Sequence, residues 1–325
     1  MAADGGTKAV VAALLANTGI AITKFVAFLL TGISSMLAEA IHSVADAGNQ
    51  GLLLIGGKRS QRGATEEHPF GYGRERYIYA FVVSIVLFSV GGLFALYEAY
   101  HKFEEIRSGH HQDPGRWWWV PLVVLGIAIV LESLSFRTAI IESNKLKGGA
   151  SYVQFVRRAK QPELPVILLE DLAALLGLVF ALLAVSLSLA TDNYYFDVAG
   201  TAMIGILLVA VAIILALETK SLLLGEAASP EAQDRIVSAL SGTPGVERII
   251  HMKTLHLGPE ELLVAAKIGV AEGSTSEQVA GAIDAAERAV REAEPTTSSI
   301  YLEPDIYRAD YQRAERPASP AAPTH

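Results

Sequence analysis

The chain alternates between long apolar stretches and short charged ones, and the length of the apolar stretches decides what they are. Runs of roughly 18–25 mostly apolar residues, wound as helices, match the ~30 Å hydrocarbon core of a bilayer. Such runs lie at residues 10–30, 33–57, 77–100, 118–139, 165–189 and 198–217, which predicts six transmembrane helices. The first run is too long for a leader and ends without a small-residue cleavage pattern, so it reads as a retained span. After Ser229 the periodicity changes. Ser229-Pro230-Glu231 starts a helix with proline at its first position. Two strand-like stretches follow at 248–257 and 261–271, joined by Gly258-Pro259. Ser274 with Glu277 reads as a capping box, and Val279, Ile283, Ala286 and Val290 mark one face of the helix behind it. A strand over 299–302 completes the order αββαβ, which predicts a small two-layer α/β domain. The expected organisation is a transmembrane domain over 1–225, a cytoplasmic C-terminal domain over 226–308 and a disordered Pro/Ala-rich tail over 309–325.

Charge orients the helices. The connection between the second and third spans carries Lys58, Arg59, Arg62, Arg74 and Arg76, and that between the fourth and fifth carries Arg137, Lys145, Lys147, Arg157, Arg158 and Lys160. The opposite loops are poorer: Thr31-Gly32 and the stretch 191–196 carry none, and the third-to-fourth connection has Lys102, Arg107 and Arg116. The positive-inside rule therefore places both termini in the cytoplasm, and the plasma membrane is the expected location. Trp117, Trp118 and Trp119, with Tyr194, Tyr195 and Phe196, fall where an outer aromatic belt would sit.

Composition narrows the chemistry. Of the 325 residues 51% are hydrophobic, and the mean hydropathy is +0.37, as a multi-pass membrane protein requires. There is no cysteine, which removes disulfides and thiolate metal sites. The formal charge of −8 gives no footing for nucleic acid. Gly71-Tyr72-Gly73 is too short for a nucleotide loop and reads as a turn beside a span, so no cofactor is expected.

The informative residues are polar ones at membrane depth. His42 and Asp46 are four apart in the second span, so a helix sets them on one face with Cβ atoms ~5–6 Å apart. An imidazole and a carboxylate so placed can hold one cation together, and the pair suits Zn²⁺. An interhelical hydrogen-bonded pair is the structural alternative, weighed against the ~2.5–3.5 kcal/mol that an ionisable group adds to insertion at a helix centre. In the fifth span Glu170 and Asp171 are adjacent, so ~100° separates their directions and one faces a site while the other faces elsewhere. A wet helix entrance near Pro165 is the bland reading of both. Asn17, Asn49, Gln50 and Glu132 read as helix–helix hydrogen bonding or interface residues, and Glu39 as a mark of an outer exit.

Taken with their order, these residues resemble the cation diffusion facilitator family. The resemblance rests on Ser34-Ser35-Met36 leading to His42 and Asp46, on His68-Pro69-Phe70-Gly71-Tyr72-Gly73-Arg74 before the third span, and on Ile300-Tyr301-Leu302-Glu303-Pro304 at the end of the last domain. The wording Glu170-Asp171-Leu172-Ala173-Ala174 is similar to the divergent branch related to mammalian zinc transporter nine. The resemblance implies a homodimeric metal/proton antiporter, a secondary transporter rather than an enzyme, usually exporting Zn²⁺, with a metallochaperone-like cytoplasmic domain. It also implies a transport site of two His/Asp pairs, on the second and fifth helices. Here the residue one turn before Asp171 is Ile167, so His42, Asp46 and Asp171 remain, and the fourth position falls to Glu170, water or substrate-linked solvent. Three ligands and one open position suit Zn²⁺.

Accessory positions depart further. His68 is present where a second histidine's place is taken by Tyr72, and His251 fits a ligand position whose later partners are Lys267 and Tyr301. A charged ammonium has no lone pair, so no dinuclear cytoplasmic site is expected; His251 and His256 read as strand residues and the domain as a dimerisation element. The rival to transport is a membrane scaffold or metal sensor that kept the architecture. Within transport, Mn²⁺, Fe²⁺ or Co²⁺ are the alternatives to Zn²⁺, since carboxylate-rich sites admit harder ions.

Overall fold

The computed structural model describes residues 2–31, 34–108 and 117–308, with the side chains of 2–5, 34, 35 and 38 left aside. Gly32, Arg116 and the expected tail at 309–325 lie outside the described residues. The chain divides into two compact units, the first running to Glu226 with His256–Glu260, the second comprising Ala227–Leu255 and the residues from Glu261.

The first unit is helical: α1 Ala2–Thr31, α2 Ser34–Arg59, α3 Glu75–Val86, α4 Phe94–Arg107, α5 Val120–Lys147, α6 Tyr152–Arg158, α7 Glu163–Thr191 and α8 Tyr195–Leu224. A π-helical segment, Leu87–Leu93, fuses α3 and α4 into one span, Glu75–Arg107. Among the described residues five helices are long and apolar enough to cross a membrane: Gly6–Thr31, Glu75–Arg107, Val120–Lys147, Glu163–Thr191 and Tyr195–Leu224. α2 is 26 residues long, but the polar residues on it keep it out of that class. The sixth expected span therefore stands as a helix without the hydropathy of the other five.

Each long helix packs on two neighbours in a closed cycle, α1–α2–α3–α8–α7–α5 and back to α1, with α1 also meeting α7. This cycle turns large apolar side chains outward: Leu15, Ile22, Leu29, Val130, Leu183 and Ile206 are each more than half exposed. Such a surface is stable against acyl chains and not against water. Without a hydrophobic difference between lipid and neighbour, the helices associate through close packing of small residues. A Cβ added at Gly200 of α8 would lie 2.4 Å from Ala184 Cβ of α7, and one at Gly205 would lie 2.8 Å from Leu96 Cγ of α4. These two glycines let α8 sit between its partners. At their N-terminal ends α3 and α7 are joined by Arg76, whose guanidinium donates to both carboxylate oxygens of Glu163, the outer pair at 2.8 Å.

α6 lies within the connection expected to be loop. Its Ser151 and Gln154 form a capping box, and Phe155 buries against the bundle core beside Leu164 and Val166.

The second unit follows the expected order: α9 Pro230–Ser241, β1 Arg248–Gly258, β2 Glu261–Gly269, α10 Ser276–Ala293 and β3 Thr297–Asp305. The sheet order is β1-β2-β3, with β2 and β3 parallel and α10 as their crossover. Ile236 and Leu240 of α9 and Ala286 and Val290 of α10 close over Leu262, Val264 and Ile268 of the sheet. Ser229 caps α9 by accepting from Ala232 N at 3.2 Å, with Pro230 next in line, as expected. The cap of α10 is displaced by one residue: Thr275 and Gln278 form the box, not Ser274 and Glu277. Ser274 instead donates its hydroxyl to Ala271 O at 2.8 Å, closing the turn that Gly273 opens at φ +84°. β3 is also longer than the expected 299–302, because parallel pairing continues to Gly269↔Asp305 and a proline is tolerated on this edge strand.

Candidate metal centre

α2 supplies the first half of the site. His42 and Asp46 lie on one face, Nε2 to Oδ2 3.6 Å, each side chain only partly exposed at 27% and 19%. The separation is beyond hydrogen-bonding distance, which leaves both groups able to turn toward a shared cation. The π segment backs this face: a Cβ on Gly91 would lie 3.6 Å from His42 Cε1. A π turn widens the helix at one point, and here that point faces the imidazole.

α7 supplies the second half, and its two adjacent acids diverge as helical geometry requires. Glu170 turns to α2, where Oε1 accepts from Asn49 Nδ2 and Oε2 from Gln50 Nε2, both at 3.1 Å. Gln50 Oε1 faces Asn17 Nδ2 of α1 at 3.4 Å, so three helices share one buried network. The helix–helix reading of Asn17, Asn49 and Gln50 describes what these amides do. Asp171 turns to α5, where Oδ2 accepts from Ser135 Oγ at 2.7 Å. Asp171 is fully buried and its Oδ1 has no hydrogen-bond partner.

Glu132 is the residue the sequence undervalued. It lies one turn before Ser135 on α5, is 1% exposed, and its carboxyl faces that of Asp171. Asp46, Glu132, Glu170 and Asp171 lie on three helices of the one bundle, α2, α5 and α7. Among the described residues no lysine or arginine forms an ion pair with any of these four acids. Nor do any three His, Asp or Glu side chains already stand at metal-binding distance of a common point among the described residues. The structure thus sets His42 beside Asp46 on α2, and Glu132 beside Asp171 where α5 packs on α7. Ile167, one turn before Asp171, is fully buried in the apolar core.

The remaining candidates have other partners. Glu39 pairs with Lys24 of α1 at 3.2 Å, and Lys24 is 6% exposed. His68 packs edge-on against Tyr72, ring centroids 4.7 Å apart. In the second unit Lys267 on β2 reaches Asp305 at 2.8 Å and Glu303 at 3.2 Å on β3. Hydrogen bonds to Asp305 and then Glu303 hold the lysine above its ordinary range, and the Lys267 bond holds Asp305 below its own. The ammonium occupies the carboxylates that a metal would need. His251 and His256 lie on β1.

Residues 10–224 match the cation efflux transmembrane domain family. The chain is 32% identical over 256 residues to the Homo sapiens proton-coupled zinc antiporter SLC30A9, mitochondrial, covering 78% of this chain and 44% of that protein. It is 26% identical over 263 residues to metal tolerance protein C4 of Arabidopsis thaliana, covering 80% and 56%. Magnetosome protein MamM of Paramagnetospirillum magneticum is 25% identical over 283 residues, covering 85% of this chain and 81% of MamM. A solved MamM C-terminal domain is 28% identical, covers 23% of this chain and 95% of that one, and superposes with a TM-score of 0.23. The chain spans about half the length of the first curated relatives it matches.

Proposed function

This chain belongs to the cation efflux family, and we propose that it carries Zn²⁺ out of the compartment holding its termini, in exchange for protons, by alternating access. The observation that carries the reading is Asp171: a fully buried carboxyl, one oxygen bare, on α7, which Asn49 and Gln50 tie to the helix bearing His42 and Asp46. α2, too polar to stand alone in lipid, acts as the sixth span because Glu39 pairs with Lys24 of α1 and its amides meet Asn17 of α1 and Glu170 of α7. In the loaded state His42, Asp46 and Asp171 close on the ion; in the present arrangement the two halves stand apart. Two carboxylates neutralise the dication, and neutral His42 gives a directional nitrogen. Ligands must be deprotonated to bind metal, so protons compete with the ion for the same atoms, and that competition is the physical basis of antiport.

The energetics require the coupling. Moving two charges outward against an inside-negative potential costs ~4.6 kcal/mol per 100 mV, and one proton entering returns ~2.3 kcal/mol. The pH difference, the metal gradient or a further proton supplies the rest. The relatives whose names specify mitochondria give no support to a plasma-membrane location, so the proposal is confined to sidedness. A homodimer is part of it, with the second unit as the dimerisation element.

One observation favours a different reading. Ile167 is buried in the core where the family resemblance places an imidazole, and a scaffold or metal sensor would tolerate that loss. Reconstitution separates the two readings. The purified chain in proteoliposomes should take up Zn²⁺ under a pH gradient, and His42→Ala, Asp46→Ala and Asp171→Ala should abolish uptake while the protein stays folded. Undiminished flux in all three variants would remove the site, and no flux in the unsubstituted chain would favour the scaffold.

A further inference from the structure

We infer that Glu132 is a fourth metal-contacting group of the transport site, a carboxylate delivered by α5 to an ion held by His42, Asp46 and Asp171. The inference rests on the proposed transport site and deepens it. Glu132 is 1% exposed in the middle of α5, directly after an apolar stretch that begins at Val120, and an acid there adds ~2.5–3.5 kcal/mol to insertion unless something compensates. Among the described residues it has no basic partner, and the polar group set against its carboxyl is Asp171. Asp171 in turn takes one donor, Ser135, on Oδ2, and offers a buried Oδ1 that takes none. Two carboxyl groups set face to face in an apolar interior need a proton or a cation between them, and a site that trades metal for protons uses both.

Glu170 makes the contrast. It is as deeply buried and adjacent in sequence, yet both its oxygens are taken by amide donors from Asn49 and Gln50. That carboxylate anchors α7 to α2, whereas Asp171 presents a buried oxygen without a donor. Ser135, one turn beyond Glu132 on α5, bonds Asp171, so both carboxylates belong to the face where α5 meets α7. The resulting donor set is one imidazole nitrogen and three carboxylates from α2, α5 and α7. Zn²⁺ accepts it, and so do the harder divalent ions Mn²⁺ and Fe²⁺, more readily than they would a two-histidine set. Because α5 and α7 pack directly on each other, Glu132 and Asp171 would approach α2 together as one half of a closing site.

The test uses the full chain in detergent and in proteoliposomes, with Zn²⁺ and Co²⁺ alone as probes. Glu132→Gln should weaken Zn²⁺ binding by about tenfold or more, no less than loss of an outer partner does. It should also alter the visible spectrum of bound Co²⁺, and Glu132→Asp should restore part of the affinity. Asp46→Ala is the reference for the underlying site and should lose binding altogether. If Asp46→Ala loses Zn²⁺ while Glu132→Gln binds it with unchanged affinity and an unchanged Co²⁺ spectrum, Glu132 is not a ligand and the site stands without it. If Asp46→Ala still binds, the transport site itself is misassigned. Should Glu132→Gln not fold, anomalous scattering from Zn²⁺ in the unsubstituted protein decides. A Glu132 oxygen within ~2.2 Å of the ion sustains the inference, and an ion bound by Asp46 and Asp171 with Glu132 turned away overturns it.

Discussion

Gln50 on α2 and Glu170 on α7 are joined by a 3.1 Å hydrogen bond buried from solvent, with Asn49 bonded to the other oxygen of the same carboxylate. This clamp links the helix bearing His42 and Asp46 to the helix bearing Asp171, so it sets where the two halves of the site start from. Removing the carboxylate leaves two buried amide donors without acceptors, each costing about 1–3 kcal/mol. Glu170→Ala should therefore destabilise the protein by roughly 2–6 kcal/mol, seen as a lowered unfolding midpoint in detergent. Glu170→Gln keeps an oxygen for one amide and should fall between the two. An unchanged midpoint for Glu170→Ala would show that the amides find other acceptors.

Ser135 tests the orientation of Asp171 separately from its charge. The hydroxyl donates to Oδ2 at 2.7 Å and leaves Oδ1 directed away. Ser135→Ala removes that donor without touching a proposed ligand. Loss of such an outer partner lowers metal affinity by about 10–100-fold. We expect the KM for Zn²⁺ to rise in that range with the maximal rate largely kept, measured as initial uptake against metal concentration. A fall in maximal rate at constant KM would mean that Ser135 serves the conformational step instead.

Half of this site was legible in the sequence, and the missing half was missing for a physical reason. Helical spacing alone put His42 and Asp46 on one face and forced Glu170 and Asp171 apart, and both relations hold. Glu132 and Ser135 are also one turn apart on a single face, but nothing local says that this face meets Asp171. That contact is made by α5 packing on α7, a tertiary fact outside any helical period. The π segment escaped for a similar reason. Leu87–Leu93 keeps the apolar composition of a span, and only the approach of Val209 to Gly92 and of His42 to Gly91 distinguishes it. The order of elements in the second unit and the core face of α10 followed from periodicity, whereas the α10 cap slipped one residue because two hydroxyls stood side by side and the turn had a use for the first.

Close packing of α8 predicts a failure with no chemistry in it. A Cβ at Gly200 would overlap Ala184 on α7 and one at Gly205 would overlap Leu96 on α4. Helix association in lipid depends on such approaches, and overpacking costs about 1–3 kcal/mol. Gly200→Ala and Gly205→Ala should each lower the unfolding midpoint, with Gly200 the worse because its neighbour is nearer and is anchored to backbone. Gly126, whose added Cβ would meet nothing within 4 Å, is the control, and Gly126→Ala should leave the midpoint unchanged or raise it. Equal losses at all three positions would point to helix propensity or insertion, not packing.

Lys267 gives the second unit a pH dependence whose direction can be worked out. Asp305 is held below the ordinary aspartate range by the hydrogen bond from Lys267, so its contribution is present above the unfolded value and is lost as pH falls through the folded one. Lys267 is held above the ordinary lysine range by Asp305 and Glu303, so its contribution is full below the unfolded value and is lost only as alkali removes the proton from the folded form. Both are in place at neutral pH. Lys267→Met should therefore loosen β3 at pH 7, and its difference from the unsubstituted chain should shrink once the pH drops below about 3.9, where a free aspartate protonates. Hydrogen exchange of peptides covering Thr297–Asp305 in the full chain, corrected for the intrinsic pH dependence of exchange, reads this directly. Zn²⁺ should leave the same peptides unchanged, because the ammonium already holds both carboxylates. In Lys267→Met the freed pair should gain Zn²⁺-dependent protection. Protection of the unsubstituted strand by Zn²⁺ would mean that metal displaces the lysine, and the view of this unit as closed to metal would fall.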